Sequence, residues 1–524
     1  MSHPQQPIDT PGRVAVTDAA ASIRAFLRRR GHWVAAPAGA ILALAFAPTG
    51  FFVLGLLCPA MLILLWDGTV PRVAAWRGFL FTGGTFLAGT YWLYHSIHLV
   101  GQAPIWIAAF LMLGLVAIMG SYTAALGYVV ARFGPRDGAL RWMVLVPAGW
   151  TLIEWLRGWF LSGFPWLALG YSQLATPLRG YAPLGGVYAV GLAVAISAGT
   201  IATLILGDRR SRIAAAGVLA VVWLAGAALT RVQWTEPRGT RVSVALVQGA
   251  VPQSMKWEPG QRERTLALYL DLTRPYLGVD LVVWPEVALP ALASDLEDYL
   301  RGVRELAREH GTSLLTGLLR RDPQTGAYYN AIVAYSPAEQ WYYKRRLVPF
   351  GEFFPVPRAV REWMRLMNLP YSDFEAGPER QSPIAVAGER LAPTICYEDA
   401  YASEQLRLAR ESTLLVNVTN DAWFGNSTAP HQHLDISRMR SLETGRPMLR
   451  ATNDGVTALV GYDGSLQGSL PQFEPGVLTG EVTPRSGLTP YVRTGNLPLL
   501  LLAWLGLLAG LWPSLRGVSP GKAR

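Results

Sequence analysis

The chain has 524 residues, of which 51% are hydrophobic and only 16% are charged, and its mean hydropathy is +0.24. A soluble globular protein carries roughly 25% charged residues, so these values argue against a simple cytosolic enzyme. The formal net charge is +10, but the arginines lie between apolar runs and do not form one basic patch. Nucleic-acid binding is therefore disfavoured, and the arginines instead indicate a membrane topology.

The acidic residues divide the chain into two parts. Only six of the 36 precede Glu236, which is typical of a membrane half followed by a water-soluble half. In the first half and near the C-terminus, eight apolar segments predict membrane-spanning helices, although the first is short for a bilayer. These segments are 33–47, 50–66, 79–100, 104–130, 142–160, 187–206, 213–229 and 497–512.

Basic residues mark one side of these segments. They occur in the N-terminal leader, in alternate loops and in the C-terminal tail, whereas the short loop at 101–103 is uncharged. The positive-inside rule then places both termini in the cytoplasm. We predict a cytoplasmic leader over 1–32, seven transmembrane helices over 33–231, an outer domain over 232–495, an eighth transmembrane helix over 496–514 and a cytoplasmic tail over 515–524.

One outer loop is unusual in composition. Residues 163–167 place Pro165 next to Trp166, and little charge lies nearby. This pattern predicts a segment that re-enters the bilayer or lies on its surface, where tryptophan is favoured. An aromatic belt with no ligand is the alternative.

From Arg241 onward, short β-branched runs alternate with charged amphipathic segments, which is typical of a layered α/β domain. The predicted strands are 242–247, 280–284, 313–317, 331–335, 391–395, 414–418, 448–451 and 457–461. The predicted helices are 261–276, 296–309, 358–367, 403–411 and 433–444. Asp463 and Gly464 predict a hairpin turn after the last of these strands.

Three reactive side chains follow predicted strands, where a rigid sheet can hold them towards a ligand: Glu286, Lys344 and Cys396. A thiol with an ordinary pKa of about 8.5 is only a few per cent thiolate at neutral pH, so it needs a base or a nearby cation. Glu286 is a candidate base, and Lys344, the only lysine we place in this group, is a candidate partner for an oxyanion. A capping carboxylate, a solvated lysine and a buried cysteine are the alternatives.

The surroundings of these residues resemble the nitrilase, or carbon-nitrogen hydrolase, superfamily. Together with the membrane segments, they resemble the apolipoprotein N-acyltransferase family of bacterial inner membranes. The motifs that carry the resemblance are 163–167, 246–248 with Pro252, Gln253, Lys256 and Trp257, then 284–286, 347–352, 396–398, 420–424 and the last apolar segment. The resemblance implies an α/β nitrilase-like α-β-β-α sandwich domain inserted in an all-α domain of eight transmembrane helices.

The resemblance also implies roles for individual residues. Glu286 is expected to be the general base, Lys344 the cation that stabilises the intermediate and Cys396 the nucleophile that carries the acyl group. Supporting or substrate-binding roles are expected for Glu352, Glu398, Tyr397, Asn330, Trp257 and Trp166. Two alternatives stay open here, namely that Glu398 orients Lys344 and that Trp257 only packs on its loop.

The family often has an aromatic residue where His431 stands. His431 and His433 alone are weak evidence for a metal site, since no further Cys or His ligand lies nearby in the sequence. We therefore expect neither a metal nor a cofactor.

The implied reaction moves an acyl chain from a phospholipid, through a Cys396 thioester, to the N-terminal amine of an S-diacylglyceryl-cysteine lipoprotein. A monomeric, multi-pass inner-membrane protein with a periplasmic catalytic domain and no nucleic-acid partner is expected. One alternative is a membrane-tethered nitrilase-like amidase or hydrolase. The other alternative is a transporter or receptor. The scarcity of ionisable residues within the predicted membrane segments argues against it. Glu154 is the main such residue, and we expect it to pair with Arg157.

Overall fold

The computed structural model describes residues 29–135, 138–258, 260–335, 338–353 and 374–515. Most of the predicted leader, the predicted helix at 358–367 and almost all of the predicted C-terminal tail lie outside these residues. The described chain begins with helices, continues into a part built from two β-sheets and ends with another long helix.

The N-terminal half contains seven main helices within the described residues. They are α1 (29–42), α2 (Leu54–Trp66), α3 (Pro71–Gly89), α4 (Ile105–Phe133), α5 (Val146–Arg157), α6 (Ala182–Leu206) and α7 (Arg209–Leu229). Pro71 is the first residue of α3, a position where its missing N–H costs nothing. Asp208 caps α7, since its Oδ1 accepts the N–H of Ser211 at 2.9 Å.

Glycines allow α1 and α3 to pack closely. A Cβ atom on Gly39 would lie 1.8 Å from the carbonyl oxygen of Phe81, and one on Gly84 would lie 2.2 Å from that of Ala36. Both distances are well below van der Waals contact. Only glycine therefore permits this approach, which is a common way for apolar helices to associate.

Four of the described helices are long and apolar enough to cross a membrane, judged by length and composition: Ile105–Phe133, Pro177–Leu206, Arg209–Leu229 and Leu497–Ser514. The predicted total of eight spans goes beyond this finding and stays a prediction. The prediction of one continuous helix over 79–100 is wrong, because α3 ends at Gly89 and separate helical turns follow at Trp92–Tyr94 and His95–Val100. At Thr90 the backbone leaves the helical region, and its buried hydroxyl donates to the carbonyl of Phe86 at 2.6 Å.

The loop around Trp166 folds into the protein. Only 1% of the Trp166 side chain is exposed, so it is not an interfacial aromatic residue facing lipid. Arg157 holds this loop by donating to the carbonyl oxygens of Phe164 at 3.1 Å and Trp166 at 2.7 Å. The predicted ion pair between Glu154 and Arg157 is confirmed at 3.4 Å, and both side chains are buried.

Two six-stranded sheets form the second half. The first contains β2 (Val242–Gln248), β3 (Leu281–Val283), β4 (Ser313–Arg321), β5 (Tyr328–Tyr335), β6 (Glu339–Tyr343) and β13 (Gly476–Val482), with β13 beside β2. The second contains β7 (Ile384–Val386), β8 (Glu389–Ile395), β9 (Leu414–Thr419), β10 (Met448–Thr452), β11 (Ala458–Val460) and β12 (Leu466–Ser469), in spatial order of the numbers. A short pairing of β1 (Glu236–Pro237) with β14 (Arg485–Ser486) lies outside both sheets.

The two sheets pack face to face. Leu246 and Val283 of the first sheet share one buried core with Ile395 and Val416 of the second. Helices α8 (Gln261–Thr273) and α9 (Glu297–Glu309) cover the outer face of the first sheet, and α10 (Ala402–Arg410) and α11 (Ala429–Thr444) lie against the second. These layers confirm the predicted α-β-β-α sandwich.

The predicted strands are all confirmed with shifted ends, and so is the hairpin turn, where Gly464 has a φ of +74° between β11 and β12. Strands β6, β12 and β13 were not predicted, because polar or charged residues interrupt their apolar pattern. The short strands β1, β7 and β14 were not predicted, because two or three residues are too few to show a strand pattern. After α12 (Pro490–Thr494), helix α13 (Leu497–Leu515) packs on the N-terminal half, where Gly506 approaches Ala148 and Gly510 approaches Leu145.

Candidate active site

Three strand ends carry the candidate catalytic side chains. Glu286 lies just beyond β3, Lys344 directly follows β6, and Cys396 directly follows β8. Glu286 and Lys344 thus come from the first sheet and Cys396 from the second. All three are buried, and face-to-face packing of the sheets brings them together.

The ammonium group of Lys344 lies between two carboxylates. Its Nζ donates to Glu352 Oε1 at 2.8 Å and to Glu286 Oε1 at 3.1 Å, and only 1% of the side chain is exposed. Burial alone would lower the pKa of Lys344, but the charges of Glu286 and Glu352 raise it well above its ordinary value. Lys344 is therefore a permanent cation in this site.

Hydrogen bonds fix both oxygens of Glu286. Oε1 accepts from Lys344 and from Asn330 Nδ2 at 2.7 Å, and Oε2 accepts from the backbone N–H of Asn420 at 2.8 Å. Asn330 also donates to Glu352 Oε1 at 3.0 Å. Asn330 and Glu352 therefore fix the positions of Glu286 and Lys344 relative to each other.

Cys396 begins a short 3₁₀ turn with a backbone φ of +51°, which is rare for a residue with a Cβ atom. Such a turn directs the side chain away from the end of the strand, as in the strained turns that present nucleophiles in hydrolases. The carbonyl oxygen of Cys396 lies 3.3 Å from Asn417 Nδ2 and 3.2 Å from His433 Nε2.

The thiol of Cys396 is neutral at rest. Burial raises its pKa well above the ordinary value, and the charge of Glu286 raises it further, while Lys344 lowers it. A thiol in this state becomes a nucleophile only when a base removes its proton during attack. Glu286, whose charge acts on this thiol, is the candidate for that base.

Glu398 does not contact the ammonium of Lys344 by any hydrogen bond among the described residues. Its carboxylate instead accepts from Tyr342 Oη at 3.1 Å and from the backbone N–H groups of Arg345 at 2.7 Å and Ile395 at 2.8 Å. Burial raises its pKa to about 7, and these N–H groups limit the rise. Glu398 thus ties the segment after Lys344 to the strand before Cys396, and Glu352 is the residue that orients Lys344.

Two aromatic candidates, Tyr397 and Trp166, meet at the boundary with the helical half. The Tyr397 and Trp166 rings are stacked with centroids 6.4 Å apart, and the Tyr397 hydroxyl donates to the Gly163 carbonyl at 3.3 Å. Trp257 lies apart from them on an open surface, with 53% of its side chain exposed.

Sequence reasoning missed two features next to the site. Lys256 was not placed in the constellation, yet it is buried and within electrostatic reach of Glu286 and Asp454. Burial lowers its pKa to about 8, although both carboxylates oppose that shift. The second feature is a buried ion cluster around His433 behind Cys396; the sequence offered only a doubtful metal motif for it.

Two family models match separate parts of the chain. The Apolipoprotein N-acyltransferase N-terminal domain matches residues 38–200, and Carbon-nitrogen hydrolase matches residues 243–491. The chain is 41% identical over 474 residues to "Apolipoprotein N-acyltransferase" of Methylococcus capsulatus, covering 90% of this chain and 93% of that protein. It is 43% identical over 486 residues to the protein of the same name from Chromobacterium violaceum, covering 91% and 93% of the two chains. The chain belongs to the apolipoprotein N-acyltransferase family.

This acyltransferase also aligns with the solved structure of XC1258 from Xanthomonas campestris, a CN-hydrolase superfamily protein. The identity is 19%, the TM-score is 0.35, and the alignment covers 50% of this chain and 97% of that one. The assignment rests on the family models and on the relatives, which match both halves of the chain. They decide for an acyltransferase over the hydrolase and transporter alternatives, since the full-length relatives carry the acyltransferase name.

Proposed function

We propose that this acyltransferase moves an acyl chain from a phospholipid to the N-terminal amine of an S-diacylglyceryl-cysteine lipoprotein, through a thioester on Cys396. In this proposal Glu286 is the general base and Lys344 stabilises the oxyanion. Glu352, Asn330 and Glu398 support the site. Tyr397, Trp166 and Trp257 have supporting or substrate-binding roles.

In the first half-reaction, Glu286 removes the thiol proton as Cys396 Sγ attacks the carbonyl carbon of the phospholipid ester. The oxyanion that forms lies against the Lys344 ammonium. The carbon–oxygen ester bond then breaks, and the proton held by Glu286 passes to the leaving alkoxide oxygen. The products are a lysophospholipid and the Cys396 thioester.

In the second half-reaction, the neutral α-amine of the acceptor attacks the thioester carbon. A carbon–nitrogen bond forms and the carbon–sulfur bond breaks, while Glu286 takes the amine proton and returns it to the sulfur. The product is an N-acylated lipoprotein, and the kinetics are ping-pong because the two substrates use the same site in turn.

The permanent charge of Lys344 is the single observation that carries this mechanism. The ammonium is 1% exposed and its two carboxylate partners keep it protonated, so a cation is in place before any substrate binds. A preformed charge that needs no reorganisation is what stabilises an oxyanion most effectively. The neutral resting thiol of Cys396 and the adjacent base support the same assignment.

The topology is also a proposal. We place the protein in the bacterial inner membrane as a monomer with eight spans, both termini in the cytoplasm and the catalytic domain in the periplasm. The domains are those predicted: 1–32, 33–231, 232–495, 496–514 and 515–524. Four helices with sufficient length and apolar composition support a membrane location, as do the half-exposed Trp257 and Phe350 of the sandwich, which suit contact with lipid.

The test is direct detection of the thioester. Purified protein is incubated with a phospholipid carrying a radiolabelled acyl chain, and protein-bound label is assayed with and without neutral hydroxylamine. We expect wild type to carry hydroxylamine-sensitive label, Cys396→Ala to carry none and Cys396→Ser to carry hydroxylamine-resistant label. Wild-type protein without a thioester on Cys396 would refute the mechanism.

A further inference from the structure

A cluster of buried ions lies behind the Cys396 turn and takes no part in the mechanism above. It consists of His433, Asp399, Asp421 and Arg450, and each of these side chains is at most 1% exposed. Burying ions is costly unless each is paired and hydrogen bonded. Since the cluster lies next to the Cys396 turn, we looked for a function of these ions in the position of Cys396.

His433 is the member that contacts the nucleophile. Its Nδ1 lies 2.9 Å from Asp421 Oδ1, and its Nε2 lies 2.9 Å from Asp399 Oδ1 and 3.2 Å from the carbonyl oxygen of Cys396. With an acceptor at each ring nitrogen, the ring must be doubly protonated to donate on both sides. Its pKa of about 9 agrees, because the two carboxylates overcome the effect of burial.

The contact between His433 and the carbonyl oxygen of Cys396 lies at a residue with an unusual backbone conformation. The left-handed φ of Cys396 is unfavourable for a residue with a side chain, so surrounding contacts must hold it. Asn417 and His433 both bond the carbonyl oxygen of Cys396 and so fix the plane of the peptide that follows it. In a trans peptide the N–H of Tyr397 points opposite to that carbonyl, so its direction is fixed as well.

Gln432 precedes His433 in helix α11 and connects this helix to the N-terminal half. Gln432 Oε1 accepts from Trp166 Nε1 at 2.7 Å and from Trp92 Nε1 at 3.3 Å, and its Nε2 donates to the Gly89 carbonyl at 3.1 Å. The ring of Trp166 lies 5.6 Å from the ring of His433. Of these two adjacent residues of α11, Gln432 thus contacts the helical half and His433 contacts the Cys396 turn.

We propose that His433 is a positioning residue that fixes the Cys396 turn, and that Gln432 and Trp166 lock this turn to the helices of the N-terminal half. The inference rests on the proposed role of Cys396 as nucleophile. It gives Trp166 a positioning role, because its indole N–H is bonded to Gln432 and its ring stacks on Tyr397. The distance between the thiol and the membrane helices is then set by α11.

The test compares two substitutions of similar size. His433→Gln keeps an N–H donor near the Nε2 position, which faces Cys396, whereas His433→Asn keeps one near the Nδ1 position, which faces Asp421. For each variant we measure the melting temperature, then the rate of thioester formation over a range of phospholipid concentrations. The substrate is a mixture of phosphatidylethanolamine and phosphatidylglycerol with a radiolabelled acyl chain, in detergent micelles.

We expect His433→Asn to lower the saturating rate on the order of 100-fold and His433→Gln to lower it by less than about tenfold, with the half-saturating concentration unchanged in both. A purely structural role predicts equal rates for the two variants at a temperature where both are folded, and that result would overturn the inference. Trp166→Phe, which keeps a ring and removes the donor to Gln432, is expected to lower the saturating rate about tenfold. An unchanged rate in Trp166→Phe would refute the proposal that Gln432 and Trp166 hold the Cys396 turn against the N-terminal helices.

Failure of the proposed function gives a different result. If wild type forms no hydroxylamine-sensitive label, the role of Cys396 fails and the inference fails with it. If wild type forms the thioester but the two His433 variants have equal rates, the inference alone is wrong.

Discussion

The strongest test of the site is Lys344→Met, which removes the ammonium and keeps much of the side-chain volume. Lys344 is 1% exposed and contacts Glu286 at 3.1 Å and Glu352 at 2.8 Å. The substitution leaves the two buried carboxylates without the ammonium group that both of them contact. We expect both stability and the rate of thioester formation to fall, for separate reasons.

The two losses have different sizes. Removing one partner of a buried ion pair costs about 3–5 kcal/mol, which corresponds to a fall in Tm of about 10 °C for a domain of this size. Loss of a preformed oxyanion partner lowers the rate of the chemical step by about 10²–10³-fold. The double substitution Lys344→Met with Glu352→Gln removes one of the stranded charges, so it is expected to regain part of the stability and none of the rate.

The assay pairs thermal unfolding in one detergent with single-turnover labelling at a temperature where every variant is folded. Glu352→Gln alone is the matched control, since it keeps Lys344 paired with Glu286. The reasoning would be refuted by a rate within about threefold of wild type in Lys344→Met. It would also be refuted if the double variant recovered the rate together with the stability.

Three further predictions concern single groups. Glu286→Gln keeps an acceptor for Lys344 and Asn330 but cannot take a proton, so thioester formation is expected to fall about 10²–10⁴-fold at a temperature where the variant is folded; full labelling would exclude Glu286 as the base. Its Tm is expected to fall as well, because the amide lacks the charge that pairs with Lys344 and its NH2 group faces the backbone N–H of Asn420. Lys256 has a lowered pKa of about 8, so the stability it contributes is present above its unfolded value of about 10.5 and is lost as pH falls through 8. When the pH is lowered from 10 to 7, Lys256→Met is expected to gain about 2–3 kcal/mol of unfolding free energy relative to wild type, measured as a rise of its Tm relative to that of wild type; a relative fall in Tm would contradict this. Glu398 has a raised pKa of about 7, so the stability it contributes is present below its unfolded value of about 4.5 and is lost as pH rises through 7. Glu398→Gln is therefore expected to reduce the fall in Tm between pH 5 and pH 8. An unchanged fall in Tm would show that another group titrates there.

Local patterns predicted much of the fold. Alternation of β-branched runs with amphipathic helices predicted the central strands of both sheets, because the buried strand β3 is continuously apolar and the buried strand β9 begins with an apolar run. The edge strand β12 is largely exposed, so its sequence carries little apolar signal. The end of α3 at Gly89 depends on the bond between Thr90 and Phe86 and was not visible in hydropathy.

The three candidate reactive residues could be named from residue type and from their positions after strands, and the resemblance assigned their roles. Their partners could not be named in the same way. Glu352 and Glu398 are both acidic residues near Lys344 or Cys396 in the sequence, and only the fold shows that Glu352 bonds the ammonium while Glu398 bonds backbone N–H groups.

By itself the sequence determined the division into an apolar half and a layered α/β half, since hydropathy and side-chain period are local properties of the chain. Tertiary structure decided which buried charges meet, because the energy of an ionised group depends on the carboxylates, cations and N–H donors within a few ångströms of it. Lys256 and His433 are the clearest cases. The sequence placed neither of them next to the reactive residues, and the fold places Lys256 within electrostatic reach of Glu286 and His433 against the backbone of Cys396.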